Sequence, residues 1–166
     1  DETSTPDEKY ERIRYLYEIS RHQPIACYGE DILNTKKLIT IMNDHEPSSC
    51  IHTASLVMDR ASVDHALKFI EVNVMGIQCL LDAIRATSKI KKLVFVSSRS
   101  AIGETADYQD PMGVDALPKP INPYGATKVA AEALCHAFHK NFNLPISICR
   151  LNPVYGPRCR RDMIPR

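Results

Sequence analysis

"KLVFVSS", Lys92 to Ser98, is an unbroken apolar run closed by two serines. Such runs are typical of strands covered on both faces, whereas a strand with one wet face alternates apolar and polar residues. Upstream of it, Val74, Ile77, Leu81 and Ile84 keep a spacing near 3.6 and predict a long helix. Downstream, a loop rich in Pro, Gly and Asp covers Arg99 to Ile121, then "NPYGATKVAAEA" reads as a helix from Asn122 and "PISICRL" as a further strand. Further toward the start lie a strand in "SSCIHTAS", a helix in "TKKLITIMND" with Leu38, Ile41 and Met42 facing inward, and a short strand in "PIACYGEDI". The first element, "TPDEKYERIRYLYEI", opens with a capping box of Thr5 and Glu8, has Pro6 at the first helical position, and carries Tyr10, Ile13 and Tyr17 on one face. Strands alternating with helices imply parallel pairing through right-handed crossovers, so the class is a doubly wound α/β sheet. No repeat, low-complexity tract or linker interrupts it.

Composition limits what such a sheet can serve. A chain of 166 residues suits one domain with a sizeable core, and a net charge of +1 without a long basic run gives no electrostatic case for nucleic acid or an anionic membrane. No apolar stretch approaches the roughly 18 residues a spanning helix needs, and the acidic start "DETSTPDEKYER" is unlike a signal peptide, so a soluble, cytoplasmic chain is expected. The six cysteines form no CxxC pair and are read as buried reduced thiols, which fits a reducing compartment. His22, His45, His65, His136 and His139 show no ligand spacing joined to a cysteine or carboxylate, and no metal is expected. The chain begins at an aspartate and its last segment, "CRRDMIPR", stops without finishing an element; it reads as a fragment.

In an open sheet of this kind ligands bind beyond the carboxyl ends of the strands. The predicted strands end in Glu30 and Asp31, in His52, Thr53 and Ser55, in Ser97 and Ser98, and in Asn152 and Tyr155. Strand ends are polar in any case, but four of them deliver hydrogen-bonding groups to one edge. Beyond that edge, Tyr124 and Lys128 stand four residues apart and share a helix face. A tyrosine of ordinary pKa near 10 is a poor base at neutral pH, and a nearby cation favours its phenolate. Tyr124 is therefore a candidate general acid/base, and Ser98 a candidate for holding the substrate oxygen on which the proton is exchanged. Alone, a YxxxK pattern also describes a surface pair; what sharpens it is the "VSS" strand end that precedes it.

These segments resemble the extended short-chain dehydrogenase/reductases that act on nucleotide sugars, the NAD-dependent epimerase/dehydratase family, and within it most closely the UDP-glucuronate 4-epimerases. The resemblance covers nearly the whole chain. "CIHTASLVMDRASVDHALKFIEVNVMG" follows the family's strand ending in His-Leu-Ala-Ala, an arginine eight residues after that histidine, and Asn-x-x-Gly; "FVSSRSAIGE" matches Ser-Ser-x-x-Val-Tyr-Gly; "NPYGATKVAAE" matches the Tyr-x-x-x-Lys helix; and "VYGPRCRRDMIP" matches a signature of uronate epimerases. The resemblance implies NAD as cofactor, a UDP-sugar as substrate, a homodimer, and Ser98, Tyr124 and Lys128 as catalytic residues. It also implies adenine contacts from Asp31 and Ile32, pyrophosphate contacts from Thr53 and Ala54, nicotinamide-end contacts from Asn73 and Ser97, and a ribose contact from Lys128. Substrate contacts would come from Arg60, Ser98 and Asn152, and from the cluster Arg158, Arg160 and Arg161, because a nucleoside diphosphate needs cations.

The chain also departs from the family. Its glycines, at 29, 76, 103, 113, 125 and 156, form no G-x-G-x-x-G, the motif that brings backbone close to a pyrophosphate; the first strand and the C-terminal substrate-binding part are expected to be missing. Ile102 stands where the family has tyrosine, Arg99 is unusual, and Asn152 lies one position early, with Pro153 in the usual place of Asn or Thr. Dehydratases need an acid pair after the strand-end hydroxyl residue and uronate decarboxylases a glutamate; here those positions are Arg99 and Ser100, which favours epimerisation. The alternatives are another member of the same superfamily, such as a UDP-glucose 4-epimerase, or a non-catalytic remnant that binds no dinucleotide.

Overall fold

The computed structural model describes residues 6–20, 25–103 and 113–156. The chain divides into two compact units, residues 1–29 with 153–166, and residues 30–152. In the first, helix α1 (Pro6–Ile19) carries exposed pairs of Arg14 with Glu11 and Glu18. The capping box expected at its start includes Thr5, which lies outside the described residues.

The second unit holds the sheet: β1 (Ser49–His52), β2 (Lys92–Ser98) and β3 (Ile146–Leu151), all parallel, with β2 in the centre. The register sets His52 beside Phe95 and Ser97 beside Arg150. Because side chains alternate along a strand, Cys50 and His52, Leu93, Phe95 and Ser97, and Ile146, Ile148 and Arg150 share one face. That face carries the core. Leu93 and Phe95 pack with Ile77, Leu81 and Ile84 of α5 (Gly76–Thr87), with Ala131 and Cys135 of α6 (Pro123–Phe142), and with Met42 of α2 (Thr35–His45). Of the residues in the predicted spacings, Met42, Ile77, Leu81 and Ile84 lie in the core and Leu38 packs half buried against it, whereas Ile41 and Val74 are half buried outside it.

Two expectations are corrected. Val94 and Val96 are half buried and do not join the core, so among the described residues β2 is fully covered on one face only. The strand expected in "PIACYGEDI" is absent from the described residues 25–32, which run without regular structure. A strand exists only through its ladder, and this segment has no partner to pair with among the described residues.

Between β1 and α5 the chain forms α3 (Asp59–Asp64), α4 (Ala66–Ile70) and one π-helical turn (Glu71–Met75). Local chemistry sets the ends of α6: the Asn122 side chain accepts from Gly125 N at 2.8 Å, Pro123 occupies the first turn, and Asn143 closes the helix at φ 53°. The five described cysteines are free; Cys135 is buried, Cys50, Cys79 and Cys149 are half buried, and Cys27 departs from the expected burial by being exposed, while Cys159 lies outside the described residues. Among the described residues no helix is long and apolar enough to cross a membrane.

Candidate active site

Two local features bring α6 against the end of β2. Gly125 lies so close to the turn Arg99–Ala101 that a Cβ there would stand 2.2 Å from the Ser100 carbonyl oxygen. Only glycine permits that approach, which sets the first turn of α6 directly beside Ser98 to Ser100. One turn further on, the Lys128 ammonium donates to the Val96 carbonyl at 3.1 Å, two residues before Ser98.

Tyr124, Lys128 and Ser98 thus gather at one strand end. Lys128 is buried, its Nζ 5.7 Å from the centre of the Tyr124 ring and 5.2 Å from that of Phe95. Burial pushes its ammonium down to about 8, against a smaller opposing effect of the Glu132 carboxylate. Tyr124 is also buried, with Phe69 of α4 edge-on at 6.3 Å. The Ser98 hydroxyl oxygen accepts from Ser100 N at 3.1 Å, which leaves its own proton free to be donated. A phenol beside a buried cation is a pair of groups able to exchange a proton with an oxygen brought to it.

Glu132 was not singled out in the sequence. It stands four residues after Lys128, on the row of α6 that already carries Tyr124. Its carboxylate accepts from Ser97 Oγ at 2.5 Å and from Arg150 of β3 through Nε at 3.0 and 3.2 Å and Nη2 at 2.7 Å. Two signals were available: the i, i+4, i+8 repeat, and an arginine inside the apolar strand "ISICRL", which must find a partner if buried. His52 was noticed only as a strand-end residue. It is buried, stacked on Phe95 at 5.7 Å, and pushed down to about 4 by burial and by the Lys128 charge.

The residues expected on the cofactor side are placed differently. Asn73 is buried and spends its side-chain amide inside the protein. Its Oδ1 accepts from Leu56 N at 2.7 Å and Ser55 Oγ at 3.1 Å, and its Nδ2 donates to Leu56 O and Thr127 Oγ1, both at 3.0 Å. Those bonds tie the Asn73 amide to the loop after β1 and to α6, with both of its N–H groups donated inside the protein. Ser97 is likewise engaged, with Glu132. Asp31 Oδ1 accepts from Leu33 N at 2.9 Å, Ile32 packs against the core and touches the place of a Cβ on Gly76, and Thr53 and Ala54 are exposed beyond β1.

On the substrate side, Arg60 is exposed on α3. Asn152 lines a cleft of about 390 Å³ with Arg99, Ile102, Glu132, Ile148 and Arg150. Arg158, Arg160 and Arg161 lie outside the described residues.

Known proteins resemble this chain in sequence and in fold. The chain is 34% identical over 149 residues to a UDP-glucuronate 4-epimerase of Thermodesulfobacterium geofontis, a match that covers 89% of this chain and 45% of that enzyme. The UDP-glucuronic acid 4-epimerase of Bacillus cereus, solved in complex with NAD, superposes with a TM-score of 0.82 at 33% identity, over 96% of this chain and 48% of that one. A UDP-glucose 4-epimerase from Brucella ovis, also solved with NAD, gives 0.70 at 32% identity, over 74% and 37%. The chain therefore spans about half, or less, of the length of the relatives it matches. The profile of the NAD dependent epimerase/dehydratase family matches residues 6–166. By that match and by its likeness to these enzymes, the chain belongs to the NAD dependent epimerase/dehydratase family.

Proposed function

We propose that the whole protein is a nucleotide-sugar 4-epimerase that interconverts UDP-glucuronate and UDP-galacturonate in the cytoplasm. The observation that carries this reading is the attachment of Lys128 to the Val96 carbonyl, which fixes the Tyr124–Lys128 row beside Ser98. Ser98 donates to the C4 oxygen of the sugar and Tyr124 removes its proton. Lys128 holds a positive charge beside the phenol while that proton is away. After the 4-keto sugar has turned, Tyr124 returns the proton to the same oxygen.

A bound NAD supplies the hydride acceptor and donor for this cycle. The residues present fit one half of such a group: a buried cation at the strand end, and beyond β1 the exposed Thr53, whose hydroxyl has no hydrogen-bond partner among the described residues. Thr53 and Ala54 would face the pyrophosphate, Asp31 and Ile32 the adenosine, and Lys128 the nicotinamide ribose.

Arg99 and Ser100 support epimerisation over dehydration or decarboxylation, because neither supplies a carboxylic acid after Ser98. A uronate adds one carboxylate to the diphosphate, and a charged hydrogen bond to it contributes roughly 1.5 to 3 kcal/mol, about 10- to 150-fold in affinity. Competition kinetics on the whole protein test the reading. UDP-glucuronate should be preferred to UDP-glucose by at least about tenfold in kcat/KM. Equal use of the two would move the protein to the neutral-sugar epimerases, and a 4-keto-6-deoxy or pentose product would overturn epimerisation.

A further inference from the structure

We infer that Glu132 is a positioning residue: clamped by Arg150, its carboxylate keeps the ammonium of Lys128 charged and seated at the end of β2. The geometry runs through two consecutive residues of that strand. Val96 accepts from Lys128 through its carbonyl, and Ser97 donates to Glu132 through its hydroxyl. The two α6 side chains are therefore tied to adjacent rungs. Arg150, beside Ser97 in the register, fixes the carboxylate from β3 and is itself anchored at Val114 O, 3.1 Å away. A buried carboxylate costs a great deal unless it is paired, and this one is held by four hydrogen bonds from Ser97 and Arg150.

Few other charges face the ammonium. On α6 these are Tyr124 and Glu132; from β1 comes His52, held neutral by burial; β2 offers the Phe95 ring and the Val96 carbonyl; and β3 places Arg150 on the far side of Glu132. The acids on the other elements around α6 are engaged or exposed. Asp59 accepts from Ser100 Oγ, Asp64 is exposed, Glu71 pairs with Lys68, and Asp82 pairs with Arg85. Glu132 is thus the one buried acid among the described residues that opposes the burial of Lys128.

The inference deepens the proposed function, since a charged Lys128 is what favours the phenolate. Its test reads a titration rather than turnover, so the two can fail separately. The whole protein is labelled with [ε-13C]lysine, the Lys128 signal is identified by its loss in Lys128→Met, and its chemical shift is followed against pH.

Glu132→Gln removes the anion and leaves Arg150 unpaired, which should lower the Lys128 titration by about one pH unit or more. Arg150→Gln breaks the same contacts but leaves the anion, so Lys128 should titrate no lower than in the wild type. A purely structural clamp would move both variants the same way. That result, or an unchanged Lys128 in Glu132→Gln, overturns the inference. If Arg150→Gln does not fold, the double variant Glu132→Gln/Arg150→Gln replaces it. Its Lys128 should titrate above that of Glu132→Gln alone, and equality of the two overturns the inference.

Discussion

The wall formed by α6, β2 and β3 and the edge running from Asp31 through Thr53 to Arg60 are built in opposite ways. In the wall, Tyr124, Lys128 and Glu132 are buried, and the charged groups of Lys128 and Glu132 are tied to β2 and β3. Along the edge, Asp31, Thr53, Ala54 and Arg60 are exposed, and the bond shown for Asp31 reaches only two residues along the chain. A charge buried in advance has its orientation fixed before any ligand arrives, whereas an exposed group is ordered by the ligand. The buried wall is therefore preorganised within this chain, while the exposed edge is left to be ordered by whatever it meets.

The largest effect should come from the wall. Tyr124→Phe in the whole protein is expected to lower turnover by about 10²-fold or more, the scale for loss of a general acid/base, while NAD stays bound. Fluorescence or absorbance of bound NAD, measured beside kcat, separates the two. Near-normal turnover would remove Tyr124 from the chemistry and reduce the contrast to one of burial alone.

Burial of His52 makes the second prediction one of pH. Its folded-state value, about 4, lies below the 6.5 of an unfolded chain, so folding favours the neutral ring. The associated stability is complete above pH 6.5 and is lost as pH falls toward 4, by about 3 kcal/mol for one group. Chemical denaturation at a series of pH values should show a fall across that window that is absent in His52→Phe. An identical slope in the variant would mean that other groups dominate the acid limb.

How much of this was legible follows from what each signal depends on. The helices α2 and α5 were readable because their apolar spacing reports burial directly, and α6 because Asn122 and Pro123 mark its start locally. Residues 25–32 failed as a strand because pairing is a property of the neighbour, which periodicity does not encode. Tyr124 and Lys128 were singled out by spacing and Ser98 by its place at a strand end. Glu132 and Arg150 were missed because a carboxylate on a helix and a cation on a strand read as solvated until the register places them together. Asn73 was singled out for the cofactor, and its bonds to Leu56 and Thr127 became visible only with the fold.

A third prediction opposes function to stability inside the wall. With its folded-state value near 8 against 10.5 when unfolded, the Lys128 charge costs roughly 3 kcal/mol throughout the range below pH 8. Lys128→Met removes that cost and loses the bond to Val96 O, worth about 1 kcal/mol, so the variant should be about 2 kcal/mol more stable at pH 7 and lose activity. Between pH 8 and 10.5 the wild type sheds the proton, and the advantage should shrink. A variant less stable at pH 7 would mean that the bond outweighs the cost of burying the charge.

The smallest effect belongs to the exposed edge. Asp31 is exposed, and its carboxylate accepts from Leu33 N at 2.9 Å in the turn that leads into α2. Replacing it with alanine removes one local hydrogen bond at the surface, a loss comparable to that of a helix cap, so Asp31→Ala should cost about 0.5 to 1 kcal/mol of stability. If Asp31 also meets the adenosine, the same substitution should weaken NAD binding while leaving kcat at saturating NAD unchanged, the mirror image of Tyr124→Phe. Thermal denaturation with and without NAD reads both quantities at once, because a bound ligand adds stability in proportion to the logarithm of its concentration over its Kd. An equal loss in the two conditions would confine Asp31 to its turn, and a larger loss with NAD present would extend the exposed edge to the cofactor.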